Sequence, residues 1–263
     1  MGTAGTGSSL RGTAGIVTGA GSGIGRATAL AMAAEGARVA IADIDAASGE
    51  ETVRLVAEAG GEAFAVATDV RDEARVEAMV RATVDRFGRL DWACNNAATG
   101  ETLAPMTQLT RKDWDGFVEV ALVGVWLCMK HEIPAMIERG GGAIVNIGSM
   151  VGLNGQPLMS AYAAAKGGVI ALSKSAAAEF APMGVRVNVV NPGMIATPGN
   201  EEVAKLLPDF MQRGIDAHAL ARMGRPEEVA ATVAFLCSEG AGFITGQCIN
   251  VEGGVSVKAT TYP

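Results

Sequence analysis

Short apolar runs, rich in β-branched residues, alternate along this chain with longer stretches of helical periodicity. The runs have four to seven residues, and the helical segments between them have about 12 to 28. Such alternation favours parallel strands joined by crossover helices. We therefore predict one α/β domain with a doubly wound parallel sheet of about seven strands and helices on both faces. The predicted strands are residues 14–18, 38–43, 63–69, 90–95, 143–149, 185–191 and 248–251.

The domain organisation predicted from the sequence is simple. No internal repeat and no long linker divides the 263 residues, so one domain is expected over residues 13–263, after a flexible Gly/Thr/Ser-rich arm of residues 1–12. The arm lacks the apolar region of a signal peptide, and the longest uncharged run, residues 140–165, is interrupted by polar residues. We expect a soluble, cytoplasmic protein with no membrane segment.

Charge and composition argue against two classes of partner. The chain has 21 basic and 28 acidic residues, a net charge of −7, without the basic patch of a nucleic-acid-binding protein. Four widely spaced Cys and only two His give no spacing typical of a metal site. We therefore expect no nucleic acid and no metal, and we interpret the Cys as reduced thiols of a cytoplasmic protein.

One helix is predicted with particular clarity, from Thr110 to Glu138. Thr110 and Asp113 have the spacing of a capping box. Apolar residues at helical spacing define a single inward face that includes Ala121. The members of this face are Trp114, Phe117, Val118, Ala121, Val125 and Cys128.

A glycine-rich turn follows the first strand, from Thr18 to Gly25, and leads into a predicted helix over residues 26–35. Glycines allow the backbone to approach a pyrophosphate, and the helix N-terminus offers free N–H groups. The second strand ends in Asp43, 18 residues after Gly25, where a carboxylate can accept the ribose hydroxyls. Together these features predict a dinucleotide site.

The same aspartate bears on which nicotinamide cofactor binds. The carboxylate of Asp43 would repel a 2′-phosphate by several kcal/mol at an effective dielectric constant of about 20. We therefore predict NAD as the cofactor, a preference that Arg26 or Arg38 could soften by compensating the charge.

A second group of residues predicts acid–base chemistry. Ser149 ends the fifth predicted strand, at the sheet edge where ligands bind in open α/β folds. Tyr162 and Lys166 are four residues apart, so they share one face of a helix. A nearby ammonium lowers the pKa of a phenol from its usual value of about 10, which makes tyrosine a usable acid and base.

With these motifs in register, nearly the whole chain resembles the short-chain dehydrogenase/reductase family, which has a Rossmann-type fold. Six segments carry the resemblance: residues 18–25, Asp69-Val70, residues 95–98, the trio Ser149/Tyr162/Lys166, residues 191–193 with Thr197, and the C-terminal segments 224–228 and 245–254.

The resemblance implies hydride transfer between a nicotinamide and a carbonyl or alcohol carbon. In that scheme Tyr162 exchanges the proton with the substrate oxygen, Ser149 stabilises that oxygen, and Lys166 assists Tyr162 and holds the nicotinamide ribose. Ser22 and Ile44 stand where NADP-dependent relatives often place basic residues. The implied cofactor-binding residues are Gly19, Ser22, Gly23, Ile24, Asp43, Ile44, Asp69, Val70, Asn96, Ala97, Tyr162, Lys166, Pro192, Gly193, Ile195 and Thr197.

Two positions depart from the family pattern. Ala98 replaces a glycine in the turn after the fourth strand, which we expect to have little effect. Ala121 stands where the family usually has an asparagine whose backbone carbonyl holds a proton-relaying water. If the helix distortion that frees this carbonyl is lost with the asparagine, the relay is weakened or rerouted, although the catalytic trio remains.

The substrate is predicted from an apolar segment, residues 194–222, which by resemblance covers the active site. Its apolar members and those near Tyr162 predict a pocket for a hydrophobic secondary alcohol or ketone, and some of these residues are equally well explained as core. The residues considered are Met150, Val151, Leu153, Met159, Met194, Val203, Leu206, Leu207, Phe210, Met211 and Ile215.

Two alternative functions stay open from the sequence. One is a 3-oxoacyl-(acyl-carrier-protein) reductase, although such enzymes usually use NADP. The other is an NAD(H)-binding sensor with little catalysis, which only Ala121 supports. The resemblance also implies a homotetramer, formed through the two longest helices and the C-terminal strands.

Overall fold

A computed structural model describes residues 10–100 and 102–258. Within this part of the chain, seven strands form one parallel sheet in the order β3-β2-β1-β4-β5-β6-β7. The predicted doubly wound sheet of about seven strands is therefore confirmed. The strands are β1 Ala14–Thr18, β2 Arg38–Asp43, β3 Glu62–Ala67, β4 Trp92–Asn95, β5 Gly142–Ile147, β6 Val185–Pro192 and β7 Cys248–Val251.

Helices cover both faces of the sheet because the central strands are buried on both sides. One core cluster includes Met32 and Val233, and the cluster on the opposite face includes Met79 and Val169. The α-helices of the described residues are α1 Gly23–Ala34, α2 Ala46–Glu58, α3 Glu73–Phe87, α4 Arg111–Val118, α5 Gly124–Glu138, α6 Met150–Asn154, α7 Ser160–Phe180, α8 Pro198–Leu206, α9 Pro208–Ala217 and α10 Pro226–Cys237.

The strand order reverses between β1 and β4. Strands β2 and β3 extend the sheet from one side of β1, and β5 to β7 extend it beyond β4. Loops leaving the carboxyl ends of β1 and β4 consequently diverge to opposite faces and open a crevice between them. The predicted nucleotide motif follows β1, so it lies at this crevice.

Two strands end earlier than predicted. β3 stops at Ala67 and β5 at Ile147, two residues before the predicted ends. Strand β5 ends early because Ser149 is the N-cap residue of α6, and its hydroxyl accepts the Val151 N–H. Both Asp69 and Ser149 thus lie in loops at the sheet edge, not in the sheet.

The long predicted helix from residue 110 to 138 is present but interrupted. The Thr110–Asp113 capping box is confirmed, and a π-helical turn, Glu119–Val123, separates α4 from α5. The predicted inward face nevertheless continues through the turn, since Phe117 before it and Val125 and Cys128 after it are buried. Of the predicted inward face, Ala121 is buried as expected, whereas Trp114 is 37% exposed and that assignment is wrong.

By length and composition, the stretch Arg111–Glu138 could cross a membrane. Half of its most apolar window is buried inside the fold, and core helices that never cross a membrane can have the same length and composition.

The last residues of the predicted arm make defined contacts with the domain. Leu10 is buried in the core, and its N–H donates to the carbonyl of Glu35, while the N–H of Gly12 donates to Gly36. These contacts dock residues 10–12 against the end of α1. Residues 1–9 of the predicted arm lie outside the described residues.

Candidate active site

The turn after β1 is so tightly packed that it excludes side chains. A Cβ on Gly25 would lie 2.1 Å from the Gly19 carbonyl oxygen, and Gly19 has a φ of +61°, in the left-handed region. Ser22 is at the N-cap position of α1 and its side chain makes no cap hydrogen bond, so it does not satisfy the first N–H groups of the helix. The turn therefore forms a cradle that brings backbone N–H groups and the positive end of a helix to one point, as a pyrophosphate requires.

Asp43 closes this cradle from the end of β2. One carboxylate oxygen accepts the Gly21 N–H at 2.7 Å and the other accepts the Asp45 N–H at 2.9 Å. The carboxylate is therefore held beside the glycine turn and keeps lone pairs for ribose hydroxyls.

Neither arginine considered as a compensating charge is directed at Asp43. Arg26 donates to the hydroxyl of Thr52 and to the carbonyl of Gly21. Arg38 lies at the opposite end of β2, where its guanidinium stacks over the ring of Phe87 at 5.1 Å. The hydrogen bonds of Arg26 and the ring contact of Arg38 therefore do not involve the Asp43 carboxylate.

The turn after β4 supports the cradle from the other side. The amide of Asn96 donates to the carbonyls of Thr18 and Gly19 at 3.0 and 3.1 Å. In return, the hydroxyl of Thr18 accepts the backbone N–H groups of Asn96 and Ala97. Asn96, predicted to bind cofactor, therefore also builds the turn that faces it.

A cleft of about 450 Å³ lies over this cradle, within the size range of ligand pockets. Most of the predicted cofactor residues line it: Gly19, Ser22, Gly23, Ile24, Asp43, Ile44, Asp69, Val70, Asn96, Ala97 and Thr197. The cleft does not include five others, namely Tyr162, Lys166, Pro192, Gly193 and Ile195. Gly193 and Ile195 instead line a smaller cavity beside His218.

Sequence reasoning missed several residues of the cleft. The most informative is Arg71, whose guanidinium binds both carboxylate oxygens of Asp69 and lowers the pKa of that carboxyl. The position of Arg71, two residues after Asp69 in the loop following β3, could have indicated this ion pair from the sequence. The remaining missed residues are Thr68, Thr99, Gly116, Val120, Pro198 and Gly199, which contribute through tertiary packing and carry no local motif.

The catalytic helix is fixed to the sheet edge by its lysine. Lys166 is 3% exposed, and its Nζ donates to the Ile147 carbonyl, the last residue of β5, at 2.7 Å. Burial lowers the pKa of Lys166 to about 8. Because Ser149 follows Ile147 by two residues, this contact brings the Tyr162/Lys166 face of α7 beside the serine.

Ser149 is itself held in a defined orientation. Its hydroxyl oxygen accepts the Val151 N–H at 3.1 Å, and the residue is 7% exposed. This leaves the hydroxyl hydrogen to be donated toward a ligand oxygen.

Tyr162 rests on an apolar wall supplied by α4 and the π turn. The rings of Phe117 and Tyr162 are 4.9 Å apart with an interplanar angle of 34°. Phe117, Ala121 and Ala165 are all buried in this cluster. The π turn is present although position 121 is alanine, so the helix distortion does not require the asparagine.

Behind the site, a buried polar network joins four elements. The amide of Asn95 on β4 donates to Glu132 on α5 and to Asn146 on β5, and Asn146 donates to Ser173 on α7. Glu132 is fully buried, and desolvation raises its pKa to about 7 although the Asn95 hydrogen bond favours the carboxylate. One oxygen of Glu132 and the carbonyl oxygen of Asn95 have no hydrogen-bond partner.

Comparison with known proteins agrees with this architecture. A family model described as enoyl-(acyl carrier protein) reductase matches residues 19–256. A cis-4-hydroxycyclohexanecarboxylate dehydrogenase from Sinomonas cyclohexanicum is 43% identical, covering 91% of this chain and 94% of that protein. A 3-oxoacyl-[acyl-carrier-protein] reductase from Synechocystis sp. is 41% identical, covering 91% and 95%. The crystal structure of levodione reductase is 36% identical with a TM-score of 0.90, covering 94% of this chain and 99% of that one.

The chain belongs to the short-chain dehydrogenase/reductase family, and its relatives establish it as an oxidoreductase.

Proposed function

We propose that the protein is an NAD-dependent dehydrogenase or reductase of hydrophobic, cyclic secondary alcohols and ketones. The observation that carries this proposal is the hydrogen bond from Lys166 to the carbonyl of Ile147. It holds the face of α7 that bears Tyr162 against the strand end from which Ser149 emerges. The dehydrogenase from S. cyclohexanicum and levodione reductase, named above, support a cyclic alcohol or ketone as the substrate.

The side chains can perform the proton chemistry of carbonyl reduction. When bound, the nicotinamide supplies the hydride, or accepts it in the reverse direction. Ser149 donates its hydroxyl hydrogen to the substrate oxygen and stabilises the negative charge that develops there. Tyr162 gives its phenolic proton to the same oxygen, and the nearby ammonium of Lys166 stabilises the phenolate that remains.

Substitution of the tyrosine tests this assignment. Tyr162→Phe should lower turnover of cyclic ketones with NADH by about 10²- to 10⁴-fold, the usual contribution of a general acid, with little change in NADH binding. The measurement is the NADH absorbance with a panel of cyclic ketones and alcohols. Tight NADH binding by the wild-type protein without turnover of any compound would instead favour the sensor function.

Asp43 supports NAD over NADP. Its carboxylate lies beside the glycine turn, and the cleft residues Ser22 and Ile44 carry no positive charge. Arg71 is the cation in the described lining of the cleft, and it is paired with Asp69. A 2′-phosphate would therefore meet an uncompensated carboxylate.

Replacing Asp43 by Asn tests the cofactor preference. The wild-type protein should prefer NAD(H) in kcat/KM by about tenfold or more, and Asp43→Asn should reduce that ratio by about tenfold as the repulsion is removed. Arg71→Ala is the control, because it shows whether the 2′-phosphate of NADP(H) recruits this arginine as a counter-ion. A tenfold preference of the wild type for NADP(H) would contradict the assignment.

The rim near Tyr162 supports a hydrophobic substrate. Leu158 lies four residues before Tyr162, is 42% exposed and has a φ of +70°, which is unfavourable for a leucine. A strained, exposed apolar residue beside a catalytic residue is typical of a functional constraint. We assign Leu158 to the substrate-facing rim.

A 3-oxoacyl-(acyl-carrier-protein) reductase is the second candidate, supported by the Synechocystis relative. The two functions differ in substrate and cofactor. A higher kcat/KM for a β-ketoacyl thioester with NADPH than for any cyclic ketone with NADH would favour the second candidate.

We also propose that the protein is a cytoplasmic homotetramer. Exposed aromatic side chains on α5 and near β7 support association, with Trp126 45% and Phe243 fully exposed. The four Cys are all unpaired, as expected in a reducing compartment. Light scattering at micromolar concentration tests the assembly, and a monomer would contradict it.

A further inference from the structure

His218 lies outside the catalytic trio and the cofactor cleft, at a junction between three segments. It follows the last residue of α9 and is 4% exposed. A Cβ on Gly193 would lie 2.7 Å from its Nε2, so the imidazole packs directly on the backbone just after β6. A Cβ on Gly253, in the C-terminal segment, would lie 3.3 Å from its Cδ2.

Its two ring nitrogens have different roles. Nδ1 lies 2.8 Å from the carbonyl oxygen of Gly214, which can only accept a hydrogen bond, so Nδ1 carries the hydrogen. Nε2 lies 3.1 Å from the backbone N–H of Met194 and accepts from it. A neutral imidazole with its hydrogen on Nδ1 satisfies both contacts.

These contacts connect the substrate cover to the strand beneath it. We define the cover as residues 198–217, the helices α8 and α9. Gly214 lies in the last turn of α9, where carbonyls lack helical partners, and His218 satisfies one of them. Met194 reinforces the junction, since a Cβ on Gly214 would lie 2.1 Å from its Cε.

The base of the cover is fixed separately. Ile195 and Gly224 form a parallel β-bridge, and Gly224 exchanges backbone hydrogen bonds with Met194 and Ala196. This bridge joins the chain before α8 to the chain after α9, but it does not involve residues of α9. Among the described hydrogen bonds, those of the His218 imidazole connect the end of α9 to the backbone after Pro192.

We propose that His218 is a positioning residue that latches the substrate cover to the Gly193–Met194 backbone, so that the cover and the nicotinamide side of the site keep one relative position. The proposal rests on the proposed function for its effect on catalysis. The imidazole is hydrogen-bonded to the backbone of Met194 and to Gly214 of α9, and it acts through these two contacts.

Hydrogen exchange tests the latch without any substrate. His218→Leu removes both hydrogen bonds while keeping an apolar side chain of similar size, and it should speed exchange in peptides covering Met194 and residues 198–217 by about tenfold. His218→Gln offers an acceptor and a donor and should restore slow exchange. His131→Gln, at the chain's other histidine on α5, is the matched control and should leave the cover unchanged.

Three results would overturn the proposal. One is equal exchange of the cover in His218→Leu and in the wild type. Another is equal acceleration in the Leu and Gln variants, because a latch requires the acceptor. The third is acceleration that extends to the β1–α1 peptides, because the imidazole would then support the whole domain.

Kinetics then test the consequence for catalysis. With a ketone that the wild-type protein reduces, His218→Leu should raise the KM for ketone by about tenfold, with much smaller changes in kcat and in NADH affinity, since one polar contact of the cover is lost. An unchanged KM would overturn the effect on catalysis. If the wild type reduces no ketone, the proposed function fails, while the exchange experiment still decides the latch.

Discussion

The nucleotide cradle and the substrate cover meet at the same edge of the sheet, but different contacts hold them. In the cradle, Gly19, Gly25 and the amide of Asn96 lie within van der Waals or hydrogen-bond distance of one another, mostly through backbone atoms. In the cover, Leu206 is 77% exposed and only Met211 of the two helices is buried. Close backbone packing makes the cradle rigid, whereas the weakly packed cover depends on the few contacts that attach it to the rest of the domain.

The difference also predicts where substitutions should be tolerated. A side chain added at Gly25 in the cradle would meet backbone atoms of the same turn, whereas one added at Gly199 in the cover would meet no atom within 4 Å. Between the two regions, the Asn95–Glu132–Asn146–Ser173 network joins strands of the cradle side to the catalytic helix. A substitution should have the largest effect in the cradle, a smaller one in this network and in the wall behind Tyr162, and the smallest at the rim.

The largest effect is expected in the cradle. In Gly25→Ala the new Cβ would lie 2.1 Å from the Gly19 carbonyl and 2.6 Å from the Asn96 amide. We expect loss of NADH affinity by about 100-fold or destabilisation by about 3 kcal/mol, measured by calorimetric titration and urea unfolding. Gly49→Ala on α2 is the control: its Cβ would make only ordinary contacts, at 3.7 Å or more, and it should stabilise the helix by up to about 1 kcal/mol. Similar effects of both variants would contradict a rigid cradle.

Glu132→Gln should remove a pH-dependent loss of stability. Because the pKa of Glu132 is raised to about 7, the folded state binds a proton that the unfolded state has lost, and stability falls as pH rises between about 5 and 7. Relative to the Gln variant, the wild-type unfolding free energy should fall by up to about 3 kcal/mol between pH 5 and about pH 8. Urea unfolding across this range measures it, with the exposed Glu138→Gln as control. Parallel pH profiles of wild type and Glu132→Gln would show that Glu132 does not titrate there.

Ala121→Asn should damage the wall behind Tyr162. Its amide would enter a buried apolar cluster next to Phe117 and should cost about 1 to 3 kcal/mol in unfolding free energy. Adding Phe117→Val makes room for the amide and should recover part of this loss. Turnover and its pH profile, measured for both variants, test whether alanine at this position weakens the proton relay although the π turn is present. If Ala121→Asn changes neither, the relay hypothesis is wrong.

The smallest change in stability is expected at the rim. Leu158→Asn places a residue that tolerates a positive φ at a strained position and should leave stability unchanged or raise it by about 1 kcal/mol. Its KM for hydrophobic ketones should rise because apolar contact area is lost. Thermal unfolding and steady-state kinetics separate the two effects. A lower stability with unchanged KM would place Leu158 in the structural framework instead.

Sequence reasoning succeeded where one element carries the whole signal. The ends of β1, β2 and β7 match the predictions, and the Thr110–Asp113 cap is present. The glycine turn, Asp43 and Asp69 lie around one cleft, because each follows a parallel strand at the same sheet edge. It failed at the start of the 110–138 helix, where Trp114 in α4 is 37% exposed although Phe117, further along the same predicted face, is buried.

The sequence by itself determined the parallel sheet, the glycine turn after β1 and the helical spacing of Tyr162 and Lys166, since strand periodicity, glycine turns and helical spacing are local properties of the backbone. Only the tertiary structure decided that Lys166 binds the Ile147 carbonyl, that Arg71 pairs with Asp69, and that Leu10 belongs to the core. It also decided the position of His218 on Gly193 and Met194. These contacts join residues distant in the chain or depend on burial, so no local pattern encodes them.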